Sequence, residues 1–508
     1  MIAAHIACLT VLLGLAAAYR SSIDSVLQRP TGKFKGEAWA LLVAGSGGWG
    51  NYRHQADVCH AYQILRRGGL PEENVVVMMA DDIATYPGNP HPHQIFNRPG
   101  GVDVYEGVPV DYRGPDVTAE NFLSVLSGQE PTVIGTSGKV IKSGPEDRVF
   151  VFYADHGAPG ILGMPSGPFL YADQLMDTLR AKAKNSEFAD MVLYIEACEA
   201  GSMFEGLLDD SLDIYVTTAA NAHESSWATY CPGMRPSPAA EFTTCLGDLY
   251  SVSWMENSDH ANLLKETLEK QFEVVKQRTS RNGSYIQGSH VLQFGSLSID
   301  EEPAGDYLGE ANTGDGGSDI PVDAAYAETI PQREAELLPL YLAVQTASNG
   351  LESQQASAAL QDALDARVFV DQGVRQAVRA LLAQPPVIHL LQEQYGHVQD
   401  LLEEASGGLG VSGGAGEPLI ELVVTEPLPM PKGQSLVKDW DCLRGMVAAW
   451  EASCSTLDQY GMQYTRTFAN LCNIGVSSDQ FGEVACASKP ALMLQPTVAR
   501  KVLLTPLL

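Results

Sequence analysis

Two apolar runs constrain this chain more than any other feature. Met191–Gly206 (MVLYIEACEAGSMFEG) begins in strand formers and stops in small and polar residues around Cys198. Arg148–Gly160 (RVFVFYADHGAPG) repeats the design and ends in Asp155-His156-Gly157. A short run apolar on both faces, broken by such residues, reads as a central strand of a parallel sheet. In open α/β sheets the functional crevice lies beyond the carboxyl ends of the strands. Neighbouring strands would therefore bring His156 and Cys198 together as base and nucleophile. A thiolate is intrinsically nucleophilic, and a nearby histidine lowers its pKa and protonates a leaving amine. The backbone N–H groups of Gly157 and Cys198 are placed to hold an oxyanion. No C-x-x-C or H-x-x-x-H pattern supports a zinc alternative, so no metal and no cofactor are expected.

Further runs at Ala38–Ala44, Asn74–Ala80, Ile214–Thr218 and His290–Phe294 read as strands, and Tyr52–Arg67 as a helix. Alternation of the two predicts a doubly wound α/β domain over residues 30–297. The turn Gly45–Gly50 matches G-x-G-x-x-G after a strand. Trp49 in the turn and the lack of an acidic residue about 20 positions on argue against a dinucleotide. Those glycines instead let a peptide backbone approach.

Residues 1–19 form an apolar run closing on Ala16-Ala17-Ala18 and read as a cleaved signal peptide. No other stretch is apolar enough for a membrane anchor. The formal charge of −30 argues against nucleic acid and against an anionic membrane surface as partners. Between Asp300 and Glu328 nine acidic residues occur without Lys or Arg, marking an exposed, self-repelling linker over 298–329. Residues 330–405 turn helical, 406–436 read as a flexible Gly/Pro-rich link, and 437–508 as a small helical unit with four cysteines. Disulfides suit an oxidising compartment, and four cysteines allow three pairings. Cys231 and Cys245 flank a Pro-rich loop and are expected to pair.

Six stretches carry a resemblance: AGSGGWGNYRHQADVCHAYQ, DVYEGVPVDYRG, YADHGAPGILGMP, YIEACEAGSMFEG, NAHESSWATYCPG and CLGDLYSVSWMENSD. In these the chain resembles the legumain family of caspase-like cysteine peptidases, the asparaginyl endopeptidases or vacuolar processing enzymes. The resemblance implies a caspase-like, mainly parallel six-stranded sheet followed by an α-helical prodomain. It implies a cysteine endopeptidase that cuts after Asn and less readily after Asp. By position, His156 and Cys198 match the catalytic pair, and Asn51 the residue that orients the histidine. Arg53, His54, Glu196, Ser225 and Asp248 match the pocket that reads the substrate asparagine. Asp155 matches an aspartate that forms a succinimide. The family pairing implies Cys442–Cys472 and Cys454–Cys486. The segment around Gln332-Arg333-Glu334 resembles an activation peptide lying over the site, with Asp306, Asn312, Asp315 and Asp319 as candidate self-cleavage positions. The partners so implied are protein and peptide substrates and the chain's own prodomain as inhibitor, released by acid. The expected route is secretory, to vacuole or lysosome, with secretion outside the cell as the alternative. Two rivals share the site: a peptide ligase, in which an amine replaces water, and a non-catalytic peptide-binding homologue.

Overall fold

The computed structural model describes residues 35–130, 137–309, 327–396, 416–426, 428 and 433–487. The signal-peptide reading at 1–19 and the cleavage candidates Asn312, Asp315 and Asp319 lie outside the described residues. Among the described residues thirteen strands occur in chain order: β1 (Ala38–Ala44), β2 (Val75–Met79), β3 (Tyr112–Arg113), β4 (Arg148–Ala154), β5 (Gly157–Ala158), β6 (Ile161–Leu162), β7 (Leu170–Tyr171), β8 (Asp190–Glu196), β9 (Ile214–Thr218), β10 (Trp227–Thr229), β11 (Gly247–Asp248), β12 (Leu292–Gly295) and β13 (Thr329–Pro331). Seven of them form one sheet in the order β12-β9-β8-β4-β1-β2-β3. Every pairing is parallel except β12 against β9. The sheet thus has one strand more than the six expected. The addition is the two-residue β3, which pairs with Met78–Met79 and has no apolar run to announce it.

Alternation along β1 explains why its sequence is apolar throughout. Ala40, Leu42 and Ala44 join the core beneath the helices Tyr52–Arg67 and Leu249–His260, with Phe150, Phe152 and Trp254. Leu41 and Val43 face the other way, toward the helices Ala119–Leu126 and Ala172–Lys184. Successive strand residues point to opposite faces, and both faces are covered.

A third core belongs to the C-terminal helices. Gly350–Leu382, Pro385–Tyr395, Gly416–Thr425, Trp440–Ser453, Thr465–Ile474 and Ser478–Val484 pack around Val378, Leu443, Trp450, Phe468 and Phe481. Ala158, Ile161 and Tyr171 share that core, so the helical unit is seated on the loops that follow β4. Disulfides join Cys442 to Cys472 and Cys454 to Cys486, while a third joins Cys231 to Cys245. The expected link 406–436 is corrected in part by the helix Gly416–Thr425. Leu419, Ile420, Leu422 and Val423 recur at helical spacing and are buried. Asn470 Nδ2 donates to the carbonyls of Val423 (2.8 Å) and Glu426 (2.7 Å), which secures the end of that helix. Among the described residues no helix is long and apolar enough to cross a membrane.

Candidate active site

Parallel register carries His156 and Cys198 to the same edge of the sheet. Ala154 of β4 pairs with Glu196 of β8, and the Asp155 N–H donates to the Glu196 carbonyl at 3.0 Å. The two side chains follow, each two residues beyond that last pair. Gly157 has to be glycine here, because a Cβ would stand 2.5 Å from the Cys198 carbonyl oxygen.

Asn51 decides the tautomer of His156. Its Nδ2 donates to the Gly47 carbonyl and to Gln459 Oε1, both at 3.0 Å, which turns Oδ1 toward His156. His156 Nε2 lies 2.9 Å from that oxygen and must donate to it. Nδ1 is left as a bare lone pair, buried and without a hydrogen-bond partner. Burial holds the imidazole well below its usual pKa, with His54, Arg53 and Arg333 adding to the effect against Asp155. The ring is therefore neutral and able to accept a proton. Cys198 is buried, with Sγ 3.8 Å from Ser226 Oγ. Burial pushes the thiol up, while the Arg333 charge pulls it down.

Beside this pair lies a buried, charged pocket. Arg53 and His54 come from the first turn of the helix Tyr52–Arg67, Glu196 from the end of β8 and Asp248 from β11; none of the four is exposed to solvent. Arg53 Nε donates to Asp248 Oδ1 at 2.9 Å, and His54 Nε2 stands 3.4 Å from Asp248 Oδ2. The Ser251 N–H and hydroxyl both donate to Glu196 Oε2 at 3.1 Å. Burial and the neighbouring Asp248 push Glu196 well above the carboxylate range. Burial, aided by Arg53, pushes His54 down to about 3. Asp155 is raised by burial and lies 3.1 Å from His54 Nδ1. With His54 and His156 it makes the one cluster of three possible metal-ligating side chains among the described residues. Ser46 and Asn51 already bond one nitrogen of each ring.

The chain itself fills the pocket. β13 runs antiparallel to β10, with Ile330 opposite Ala228, and the Gln332 N–H donates to the Ser226 carbonyl at 3.0 Å. Gln332 then points inward, with Nε2 at 3.5 Å from Glu196 Oε1. Its Oε1 has no partner, and neither has Arg53 Nη2. Arg333 covers the catalytic edge. Its guanidinium donates to the Gly157 carbonyl (2.8 Å), Ser225 Oγ (3.0 Å) and Glu199 Oε2 (2.7 Å). Arg367, from the long helix Gly350–Leu382, locks this segment by bonding the Arg333 carbonyl (2.6 Å), Glu334 (3.0 Å) and Glu336 (2.8 Å).

Of the residues expected in the pocket, the structure brings Arg53, His54, Glu196 and Asp248 together. Ser225 stands apart at the mouth, on Arg333. Sequence reasoning missed Glu199, Ser226, Ser251 and Asp57. Glu199 alone had a signal, being the acid next to Cys198 in a residue block already singled out.

Residues 38–310 match the Peptidase C13 family, and residues 428–488 match the prodomain of legumain. The chain is 46% identical over 456 residues to the vacuolar-processing enzyme beta-isozyme of Arabidopsis thaliana, covering 89% of this chain and 86% of that one. It is 44% identical over 488 residues to legumain of Canavalia ensiformis, covering 94% and 95%. Caspase-1 from Spodoptera frugiperda, a solved structure, aligns at 10% identity and a TM-score of 0.32, covering 55% of this chain and 94% of that chain.

Proposed function

This chain belongs to the peptidase C13 family and is a cysteine endopeptidase made as a zymogen with its own prodomain, and from that premise we propose that it hydrolyses peptide bonds after Asn, and less readily after Asp, once acid has released the cap. Cys198 is the nucleophile. His156 takes the thiol proton on Nδ1, the thiolate attacks the scissile carbonyl, and the N–H groups of Gly157 and Cys198 receive the oxyanion. His156 returns the proton to the leaving amine, and water then releases the acyl-enzyme. Asn51 holds the ring throughout. By likeness to the vacuolar-processing enzymes, the place of action is the vacuole or lysosome, reached by the secretory route.

The observation that carries the specificity is Gln332. A side-chain amide reaches Glu196 from a segment strand-paired to β10, which supports reading residue 332 as standing where the residue preceding a cut (P1) would bind. Its fit is incomplete, because the pocket's spare donor on Arg53 and the amide's spare acceptor do not meet. An Asn amide, one methylene shorter, changes that reach. A pocket that hydrogen-bonds both ends of one amide discriminates strongly against side chains that leave a buried group unpaired.

The test is a matched peptide pair, P1 Asn against P1 Gln, after preincubation at about pH 4–5, where carboxylates at the cap interface start to be neutralised. A Cys198→Ala variant is the control. Asn-selective turnover that appears with loss of the C-terminal unit and vanishes in the control supports the reading. No turnover from demonstrably uncapped protein would leave only a peptide-binding homologue.

A further inference from the structure

One helical turn beyond Arg53, and behind the pocket, is Asp57. It is fully buried. Its Oδ1 accepts from Asn97 Nδ2 at 2.6 Å, and its Oδ2 accepts from the Asp248 backbone N–H at 3.2 Å. That N–H contact sets the Asp57 carboxyl directly against Asp248, whose own carboxylate is bonded to Arg53 Nε. The Asn97 amide is oriented by the Leu246 carbonyl, which also accepts from Nδ2 (2.9 Å), and its Oδ1 lies 2.8 Å from His60 Nδ1. The ionisable groups facing this pair are Arg53 and His54 from the same helix, Glu196 from β8, and His60 through Asn97.

Two neighbouring carboxyl groups, both fully buried, do not both ionise readily. Arg53 bonds Asp248 directly, so the charge belongs on Asp248 and the proton on Asp57. The acid O–H can then serve Asp248 Oδ2, a buried acceptor with no hydrogen-bond partner among the described residues.

We propose that Asp57 is a positioning residue for substrate specificity: held as the neutral acid, it leaves Asp248 as the single carboxylate that Arg53 balances, and so tunes the pocket to a neutral P1 amide. Ionising Asp57 would set a second negative charge beside Arg53 and draw the guanidinium away from the substrate oxygen. Burial first, and the Asp248 charge second, push Asp57 well above the carboxylate range, while the Asn97 bond opposes them. This inference rests on the Asn-cleavage reading above.

The experiment uses the full chain, activated in acid and then assayed by initial rates after a pH jump, with P1 Asn and P1 Asp peptides. Asp57→Asn keeps the acceptor for Asn97 and a neutral donor toward the Asp248 carboxylate, giving up only the long bond from the Asp248 N–H. It should keep Asn-over-Asp selectivity within about threefold of wild type and move the alkaline fall of kcat/KM to higher pH, because the ionisation assigned to it is gone. Asp57→Ala should lose selectivity by about tenfold or more, chiefly through KM, since a buried partner is left unsatisfied. Asn97→Ala leaves residue 57 intact and removes the bond that favours its ionised form. Its alkaline fall should also move up, which provides a test if the Ala variant at 57 does not fold. An Asn variant as damaged as the Ala variant, or an alkaline limb that moves in neither Asp57→Asn nor Asn97→Ala, overturns the inference. Wild type that cleaves Asn while the variants fail these expectations sinks Asp57 alone; wild type that ignores Asn sinks both readings.

Discussion

At the scale of single residues, the question is how a neutral histidine and a protonated thiol become a working pair. Asn51 supplies part of the answer through an amide whose two ends are both committed. Replacing it by aspartate keeps an acceptor for Nε2 but adds a charge that favours the imidazolium. Asn51→Asp should therefore shift the acid limb of kcat/KM to higher pH, because the histidine now holds its proton over a wider range. An unmoved limb would show that Asn51 is only a spacer. Cys198 gives a second check at this scale. Burial raises its thiol in the capped chain, so alkylation by a small thiol reagent should quicken by roughly tenfold or more when the cap leaves, as the thiolate fraction and access both grow. Equal rates before and after would place the barrier elsewhere. His156, Cys198 and Asn51 were legible in sequence because each sits in a dense local motif. Asp57 was not, although it lies in the same block as Arg53. Its meaning comes from Asn97 and Asp248, 40 and 191 residues away, and helical spacing alone reads it as one more polar residue.

Among elements, β13 matters most. Pairing of Thr329–Pro331 with β10 lays residues 329–332 along the edge a substrate would use, since adding an extended strand to an exposed sheet edge is a general mode of peptide recognition. Arg333 then diverts the chain into contacts with Gly157, Ser225 and Glu199. Gln332→Asn would place the proposed preferred side chain in a pocket already engaged by the backbone. Self-cleavage after residue 332, read by mass spectrometry of the acid-treated protein, is the expected outcome. An intact bond would mean that the segment's carbonyl is not presented to Cys198. Arg333→Ala acts differently, because it leaves the buried Glu199 carboxylate with Arg466 alone, at 3.9 Å. Breaking such a pair costs on the order of 3–5 kcal/mol, so this variant should activate faster than wild type at the same pH. The short strands were illegible for a physical reason. β3, β10 and β13 have two or three residues each, too few to show a period, and their registry is set by partners rather than by their own side chains. The helix Gly416–Thr425 was hidden by its Gly and Pro start, and by a composition that matched its linker-like surroundings.

For the whole molecule, the contest is between buried acids and buried histidines. Asp57, Asp155 and Glu196 have pKa values raised by burial. Their contribution to stability is complete below the unfolded carboxylate range, near about pH 4, and is lost as pH rises through the folded values. His54, pushed down to about 3, and His156, also depressed, work with the opposite sign. Their contribution is complete above about pH 6.5 and is lost as pH falls toward the folded values. The capped chain carries both sets, which gives it a compromise in pH. The covering segments touch one member of each set, His156 in the second and Glu196, through Gln332, in the first. Arg333 and Gln459 lie over His156 and its Asn51 partner, whereas Asp57 is enclosed by the core's own Asn97 and Asp248. Loss of the cap lets water reach His156, relaxes it toward its ordinary value and removes part of the acid-side loss. Asp57 and Asp155 stay enclosed by the core and keep their neutral-side loss, while Glu196 gives up only its contact with Gln332. The freed catalytic part should therefore have its Tm maximum at lower pH than the whole chain, and should lose stability first as pH is raised toward neutrality. Thermal unfolding of both forms across about pH 4–7, a range bracketed by the ordinary carboxylate and histidine values, reads this directly. If the two maxima coincide, burial of His156 does not depend on the cap, and acid activation has to be sought in the interface pairs instead, of which Arg444 with Asp173 at 2.8 Å is the one that ties the C-terminal unit to the helix Ala172–Lys184.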